Sequence, residues 1–178
     1  MNFGSVRMNI ENEILNRKIK RNIPLHNLSD TESAQSYWAL ADGFSTAADQ
    51  LLSNPPGQKI LTPILYLLGH SLELHFKSYL ILQGVSEKKL SKDIGHNLVN
   101  CLRLCNQLGL YKHLSLTYSQ TRQIVRVNRY YQGKQLEYFY STAKQFGVIE
   151  NFRNIVSQTS KAVFSPITEI NFRLLSKK

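Results

Sequence analysis

Apolar positions in this chain recur at spacings of three and four almost throughout, the period of helices that bury one face. The longest apolar run extends from Thr62 to Gly84. Thr62 suits an N-cap, Pro63 the first helical position, where its missing N–H costs nothing, and Gly84 the left-handed residue just past the end. Upstream, Ser29-Asp30-Thr31-Glu32 reads as a capping box opening a helix over residues 30–52, with Tyr37, Ala41, Phe44, Ala48 and Leu51 on its apolar side. Ser53-Asn54-Pro55-Pro56-Gly57 breaks that helix. A short helix over residues 8–21 is expected before it, acidic early and basic late, as a helix dipole favours.

After Gly84, residues 86–95 are polar and without pattern, and are expected to remain an exposed connection. His96 then opens a helix through Leu98, Leu102, Cys105 and Leu108, which Gly109 stops. From Thr117 the helical period returns, with Ile124, Val127 and Tyr131 on one side and Arg122, Arg126 and Arg129 on the other. The aromatic stretch from Tyr130 to Tyr140 has no clear repeat and reads as irregular. Residues 148–163 are helical again through Ile149, Phe152, Val156 and Val163. Ser165-Pro166 is expected to end that helix and to cap a last short one carrying Ile167, Ile170 and Leu174.

These elements predict an all-α fold, a helical bundle of four to five main helices with short terminal helices. The expected division is an N-terminal arm or short helix over 1–29, the bundle over 30–164 and a C-terminal short helix over 165–178. A length of 178 residues with 42% hydrophobic content suits one domain with a substantial core. The net charge of +10 is uneven. Residues 31–95 hold five basic and six acidic groups, whereas residues 96–178 hold twelve and three. Such a bias favours an anionic partner, nucleic acid before an anionic membrane or an acidic protein. Cys101 and Cys105, one helical turn apart, read as buried thiols, which fits a reducing compartment. The N-terminus lacks the apolar stretch of a signal peptide, and His70, Glu73, His75 and Lys77 argue against a lipid-spanning role for residues 62–84. A cytoplasmic protein without a membrane span is the expectation.

Two constellations carry candidate chemistry. His70, Glu73 and Lys77 fall on one narrow stripe of the apolar central helix, with Glu73 and Lys77 in the favourable i,i+4 order. Charges so placed need partners. In one reading Glu73 orients His70 or His96 for acid–base work. In the other, His70, Glu73 and Lys77 form a structural polar cluster tying this helix to a neighbouring helix end, or to Arg126 or Arg129. The second constellation is the stripe of Arg122, Arg126 and Arg129, whose planar guanidinium groups suit phosphate, with Tyr130 and Tyr131 beside it to stack on unpaired bases. Tyr37, Trp38 and the row Tyr138-Phe139-Tyr140 read as core or interface. His26, His75 and His113 are scattered and form no metal-ligand set, and no phosphate-loop or nucleophile-elbow motif is present. Neither metal nor cofactor is expected.

The segments Gly69-His70-Ser71-Leu72-Glu73-Leu74-His75-Phe76-Lys77, Gly95-His96-Asn97-Leu98 and Arg129-Tyr130, in that order, resemble prokaryotic HEPN-like proteins over about residues 33–160. The resemblance implies a helical bundle that often forms a homodimer, an association with RNA, and membership of toxin–antitoxin or phage-defence systems. It also implies a possible protein partner such as a nucleotidyltransferase or an antitoxin. Many such proteins are metal-independent ribonucleases that use a late Arg followed after four to six residues by His. Here Arg153-Asn154 resembles the start of that motif, but Gln158, Thr159 and Ser160 stand where the imidazole is required. Arg21 to His26 matches formally, yet has Pro24 inside it and lies outside the resembling region. Loss of a general acid–base group typically costs about 10²–10⁴-fold in rate. The expectation is therefore binding of RNA or another polyanion through Arg122, Arg126, Arg129 and Tyr130. Two alternatives stand beside it: a ribonuclease or nucleotide-processing enzyme using His70, Glu73 and His96, and a protein–protein interaction module without nucleic acid.

Overall fold

A computed structural model describes residues 28–53, 61–137 and 147–176, and every regular element among them is helical. Five main helices follow in order: α1 (Leu28–Ser53), α2 (Leu61–Leu82), α3 (Leu98–Gln107), α4 (Tyr118–Tyr131) and α5 (Ile149–Leu175). Short turns of helix at Glu87–Lys89, Leu90–Ile94 and Leu110–Lys112 connect them. The all-α bundle predicted from the periodicity is the observed fold. The expected helix over residues 8–21 and the row Tyr138-Phe139-Tyr140 lie outside the described residues.

α2 is the axis of the bundle and packs against each of the other four helices. That explains why it is apolar nearly all round: Ile64, Leu65, Leu68, Leu72, Phe76 and Leu80 are all fully buried. α1 lies closest to it. The buried face of α1 is built from Ala34, Ala41 and Ala48, spaced by seven residues, together with Thr31. Tyr37, Phe44 and Leu51, expected on that face, flank it half-buried. The small side chains let the two backbones approach until the Ser78 hydroxyl on α2 donates to the Ala34 carbonyl on α1 at 2.6 Å. The capping box expected at Ser29 is not used as a helix start, since α1 is already running at Leu28. α2 likewise begins at Leu61, which places Thr62 and Pro63 inside its first turn. Its end is as expected: the Val85 N–H bonds to the Leu80 carbonyl at 3.0 Å and the Gly84 N–H to the Ile81 carbonyl at 2.8 Å, the paired bonds of a glycine-terminated helix.

Two further expectations are overturned. Residues 86–95 are not a wholly exposed connection; they coil into the helical turns after α2 because Leu90 and Ile94 have core to enter, leaving Ser86, Glu87, Lys88, Ser91 and Lys92 outside. Nor does Ser165-Pro166 stop the last helix, for α5 continues through Pro166 to Leu175. A proline inside a helix costs about 3 kcal/mol through the lost N–H bond and the ring's steric conflict. Ala162, Val163 and Ile167 are nonetheless buried on both sides of it, and one buried Val or Ile contributes about 1.5–3 kcal/mol. The apolar face is continuous across the proline, so packing outweighs the break. The Thr168 hydroxyl, 2.8 Å from the Ser165 carbonyl, supplies a donor to this stretch.

Cys101 and Cys105 are free and fully buried on α3, and burial pushes the Cys101 thiol up to about 12. The Cys105 thiol points at the Phe76 carbonyl, 3.4 Å away. They serve as small core residues. Among the described residues no helix is long and apolar enough to cross a membrane.

Two polar side chains in the core, Ser71 and His75, have buried polar atoms with no hydrogen-bond partner among the described residues. His75 on α2 is fully buried, and neither ring nitrogen finds a hydrogen-bond partner among the described residues. Burial lowers its pKa from 6.5 to about 4. A histidine whose folded pKa is depressed leaves stability intact above its unfolded pKa and removes it as pH falls toward the folded value. The loss should accumulate between pH 6.5 and about 4 and reach roughly 3 kcal/mol. Urea unfolding of His75→Leu is expected to show a clearly flatter stability profile across that window than the unsubstituted protein. Parallel profiles would refute the assignment.

Candidate functional site

The Glu73 carboxylate, 1% exposed, sits where α2, the start of α3 and the end of α4 converge. Lys77, one turn along α2, donates to Oε1. Tyr131, the last residue of α4, donates its hydroxyl proton to Oε2 at 2.5 Å, and His96, just before α3, places Nδ1 3.0 Å from the same oxygen. His70 joins indirectly, its Nδ1 lying 3.0 Å from Tyr131 Oη. Both oxygens of a buried charge are therefore occupied.

Local backbone makes this convergence possible. The Tyr131 ring lies directly on Gly69: a Cβ there would stand 2.8 Å from a ring carbon, closer than real contacts allow. Gly95 holds φ at 56° and ψ at −134°, a conformation essentially reserved for glycine, and so turns His96 toward α2. Asn97 caps α3 by accepting from the Asn100 N–H at 3.0 Å. Asn128 of α4 reinforces that cap, accepting from the Leu98 N–H at 2.8 Å while its amide donates to Asn97 Oδ1 at 3.3 Å. Gly95-His96-Asn97-Leu98 thus acts as one clasp: a turn, a ligand for Glu73, a cap, and a backbone donor to α4.

Burial alone would raise the Glu73 pKa, but the hydrogen bonds from Lys77, Tyr131 and His96 outweigh it and hold the carboxyl below its ordinary range. Burial raises the Tyr131 phenol far above its ordinary value, and the neighbouring Glu73 charge adds to this. Burial lowers the His70 imidazole, against the attraction of Glu73. An ionised carboxylate accepts and a protonated phenol has one proton to give, so proton positions follow. Tyr131 gives its proton to Glu73, leaving Oη to accept from His70 Nδ1–H. His96 must likewise present Nδ1–H to Glu73. Whenever neutral, each imidazole then carries its proton on Nδ1 and keeps a lone pair on Nε2, with His96 supported by the Glu73 carboxylate directly and His70 through the Tyr131 hydroxyl. Tyr66 stacks on His70 at a ring separation of 5.9 Å and Phe44 meets it edge-on at 4.6 Å. His96 is half-exposed.

The expected stripe of His70, Glu73 and Lys77 is therefore assembled, but not with the partners foreseen on the arginine helix. Arg126 and Arg129 point away from Glu73, because Tyr131, which does reach it, lies about 180° around α4 from Arg122. Tyr131, expected on the apolar face of α4 and also as a base-stacking ring beside the arginines, is instead 3% exposed with its hydroxyl on Glu73; the signal that identifies this role is the need of a buried tyrosine hydroxyl for a partner. Asn97 and Asn128 carried no earlier expectation. Arg122, Arg126 and Arg129 are exposed, as their spacing predicts, and no carboxylate among the described residues pairs with them. Tyr130 is half-buried with its ring against the core, whereas Tyr118, 78% exposed, is the aromatic of this face, with the Arg122 guanidinium 5.7 Å from its ring centre.

The positions resembling the late ribonuclease motif are committed to structure. Arg153 forms a two-pronged ion pair with Asp49, at 2.6 and 3.0 Å, and a third bond to Glu150 at 3.0 Å. Gln158 accepts from Gln120 at 3.1 Å, the buried Thr159 hydroxyl bonds to the Ile155 carbonyl at 2.8 Å, and the Ser160 carbonyl accepts from the Trp38 indole at 3.2 Å. No group of His, Cys, Asp and Glu among the described residues is arranged to hold a metal ion. Compared with protein-family models, with curated proteins and with solved structures, the chain matches none.

Nitrogen-15 NMR of the imidazoles at pH about 8, above the ordinary histidine range, tests the proton assignment. Both His70 and His96 should show protonated Nδ1 and unprotonated Nε2. The opposite tautomer at either ring would break the derived chain of donors.

Proposed function

We propose that this chain is a HEPN-like bundle that binds RNA through the outer face of α4, and that it acts by binding rather than by the late Arg–His chemistry of the ribonucleases it resembles. The observation that carries the reading is the trio of exposed guanidinium groups of Arg122, Arg126 and Arg129 on one helix face, without a carboxylate partner among the described residues and with Tyr118 beside them. Guanidinium forks suit phosphate oxygens, an exposed aromatic offers a stacking surface, and the basic excess of residues 96–178 adds long-range attraction. The order of motifs extends the proposal to a homodimer working in the cytoplasm within a prokaryotic toxin–antitoxin or phage-defence system, with RNA or another polyanion as ligand.

A second reading draws on one specific observation, the contact chain from His70 through Tyr131 and Glu73 to His96, which engages Nδ1 of both rings and leaves Nε2 to act as a base when the ring is neutral. It assigns acid–base chemistry on a nucleotide or on RNA to His70, Glu73 and His96. The arginines face the other side of α4 and the cation at this site, Lys77, is already engaged by Glu73, so this reading ranks second.

Exposed helix positions tolerate alanine with stability changes within about 0.5 kcal/mol, so Arg122→Ala/Arg126→Ala/Arg129→Ala should remain folded. RNA affinity of the unsubstituted protein should fall steeply with salt. In the triple variant the log–log slope should drop by about one for each phosphate contact removed. Unchanged affinity and slope would rule out the arginine face.

A further inference from the structure

Three open clefts on the described surface meet at Lys161 of α5. One, about 460 Å³, lies between α4 and α5 and is lined by Gln120, Gln123, Asn151, Asn154, Ser157 and Lys161 among others. A second, about 400 Å³, lies between α1 and α5, where Asp42 and the Asp49–Arg153 pair face Asn154, Ser157 and Lys161. The third, about 390 Å³, continues along α5 past Gln158 and Lys161 to Ser165, with His113 and Ser115 opposite. Shared residues make them one branched groove following α5.

The side chains divide into two sets. Gln120 and Gln123 hold the walls together, donating to Gln158 Oε1 at 3.1 Å and to the Val148 carbonyl at 2.8 Å. Asn151, Asn154, Ser157 and Lys161, in contrast, are exposed, and no side-chain partner for them exists among the described residues. They recur along one side of α5, within an arc of about 120°. The first and third clefts have no carboxylate in their lining. The arginine face adjoins the groove: Arg126 Nη1 lies 2.8 Å from where a Cβ at Gly147 would stand, and the same glycine position neighbours Gln123, which lines the first cleft.

We propose that this groove receives a single strand of RNA, with Lys161 on a phosphate, the carboxamides of Asn151 and Asn154 on unpaired base edges, and Ser157 on a ribose hydroxyl. This inference rests on the arginine-face reading and gives it a path: α4 attracts and holds the backbone, and α5 meets the bases. Carboxamides pair donors and acceptors with base edges, and RNA exposes those edges where it is unpaired, since the major groove of an A-form duplex is too deep and narrow for side chains. A protein partner fits less well, because interface centres are rich in aromatic and apolar anchors and this lining is amide, hydroxyl and ammonium.

The test is fluorescence anisotropy with labelled single-stranded RNA homopolymers, the DNA counterparts and an RNA hairpin, at fixed salt. The proteins compared are the full chain, Asn154→Ala/Ser157→Ala/Lys161→Ala, and the triple arginine variant. All substitutions are at exposed helix positions, and circular dichroism is the control that checks whether each variant is folded. The full chain should prefer single-stranded RNA to both the hairpin and DNA. The groove variant should lose about tenfold or more on the preferred homopolymer and lose the preference among homopolymers, whereas the arginine variant weakens all of them together. Binding that the groove substitutions leave unchanged, or equal binding of RNA, DNA and hairpin, overturns the groove while the arginine face stands. No RNA binding by the full chain overturns both.

Discussion

One buried carboxylate sets the geometry of this bundle. Glu73 lies in the most apolar of the described helices, where moving an ion out of water costs several kcal/mol. Three donors from three parts of the chain offset that cost: Lys77 from α2 itself, His96 from the clasp before α3, and Tyr131 from the end of α4. Hydrogen bonds to a charged group contribute about 1.5–3 kcal/mol each, so three of them balance the desolvation and losing one does not leave the rest in balance. The charge can be buried only if α3 and α4 arrive in one register. Gly69 and Gly95 belong to the same constraint, the first because the Tyr131 ring occupies the space of a side chain, the second because the clasp turns through a glycine conformation.

The constraint divides α4 into two working faces. Its inner face carries Tyr131 and Asn128, which reach Glu73 and the α3 cap, and Ile124 and Val127, which enter the core. Its outer face carries three arginines with no carboxylate to neutralise them among the described residues. Rigid anchoring of the inner face is what gives the outer one a fixed presentation, which a phosphate-binding surface benefits from. Glu73 is satisfied by lysine, phenol and imidazole, so none of these guanidinium groups is drawn inward to neutralise it.

Much of this was legible in the sequence where one periodicity decided the outcome. The central helix, the glycine that ends it, and the opposed faces of α4 follow from the 3.6-residue repeat and capping chemistry. The stripe of His70, Glu73 and Lys77 was visible because three ionisable groups in an apolar helix demand explanation. Lys77 and His96 were foreseen as partners of Glu73, but Tyr131 was not, since it lies 58 residues away and suits other roles on an amphipathic helix. Pro166 and residues 86–95 misled for a related reason. Local propensity argued for a break and for an exposed loop, whereas Ile167, Leu90 and Ile94 had core to fill, which propensity does not record.

The central claim is that Glu73 and Tyr131 act as one unit, so that neither keeps its full value without the other. A double-mutant cycle of Glu73→Gln and Tyr131→Phe, read by urea unfolding at neutral pH, measures this directly. A coupling of about 1–3 kcal/mol, with the double variant losing less than the sum of the single losses, is the predicted result. Additivity within about 0.5 kcal/mol would contradict the account, because the two groups would then stabilise the bundle independently.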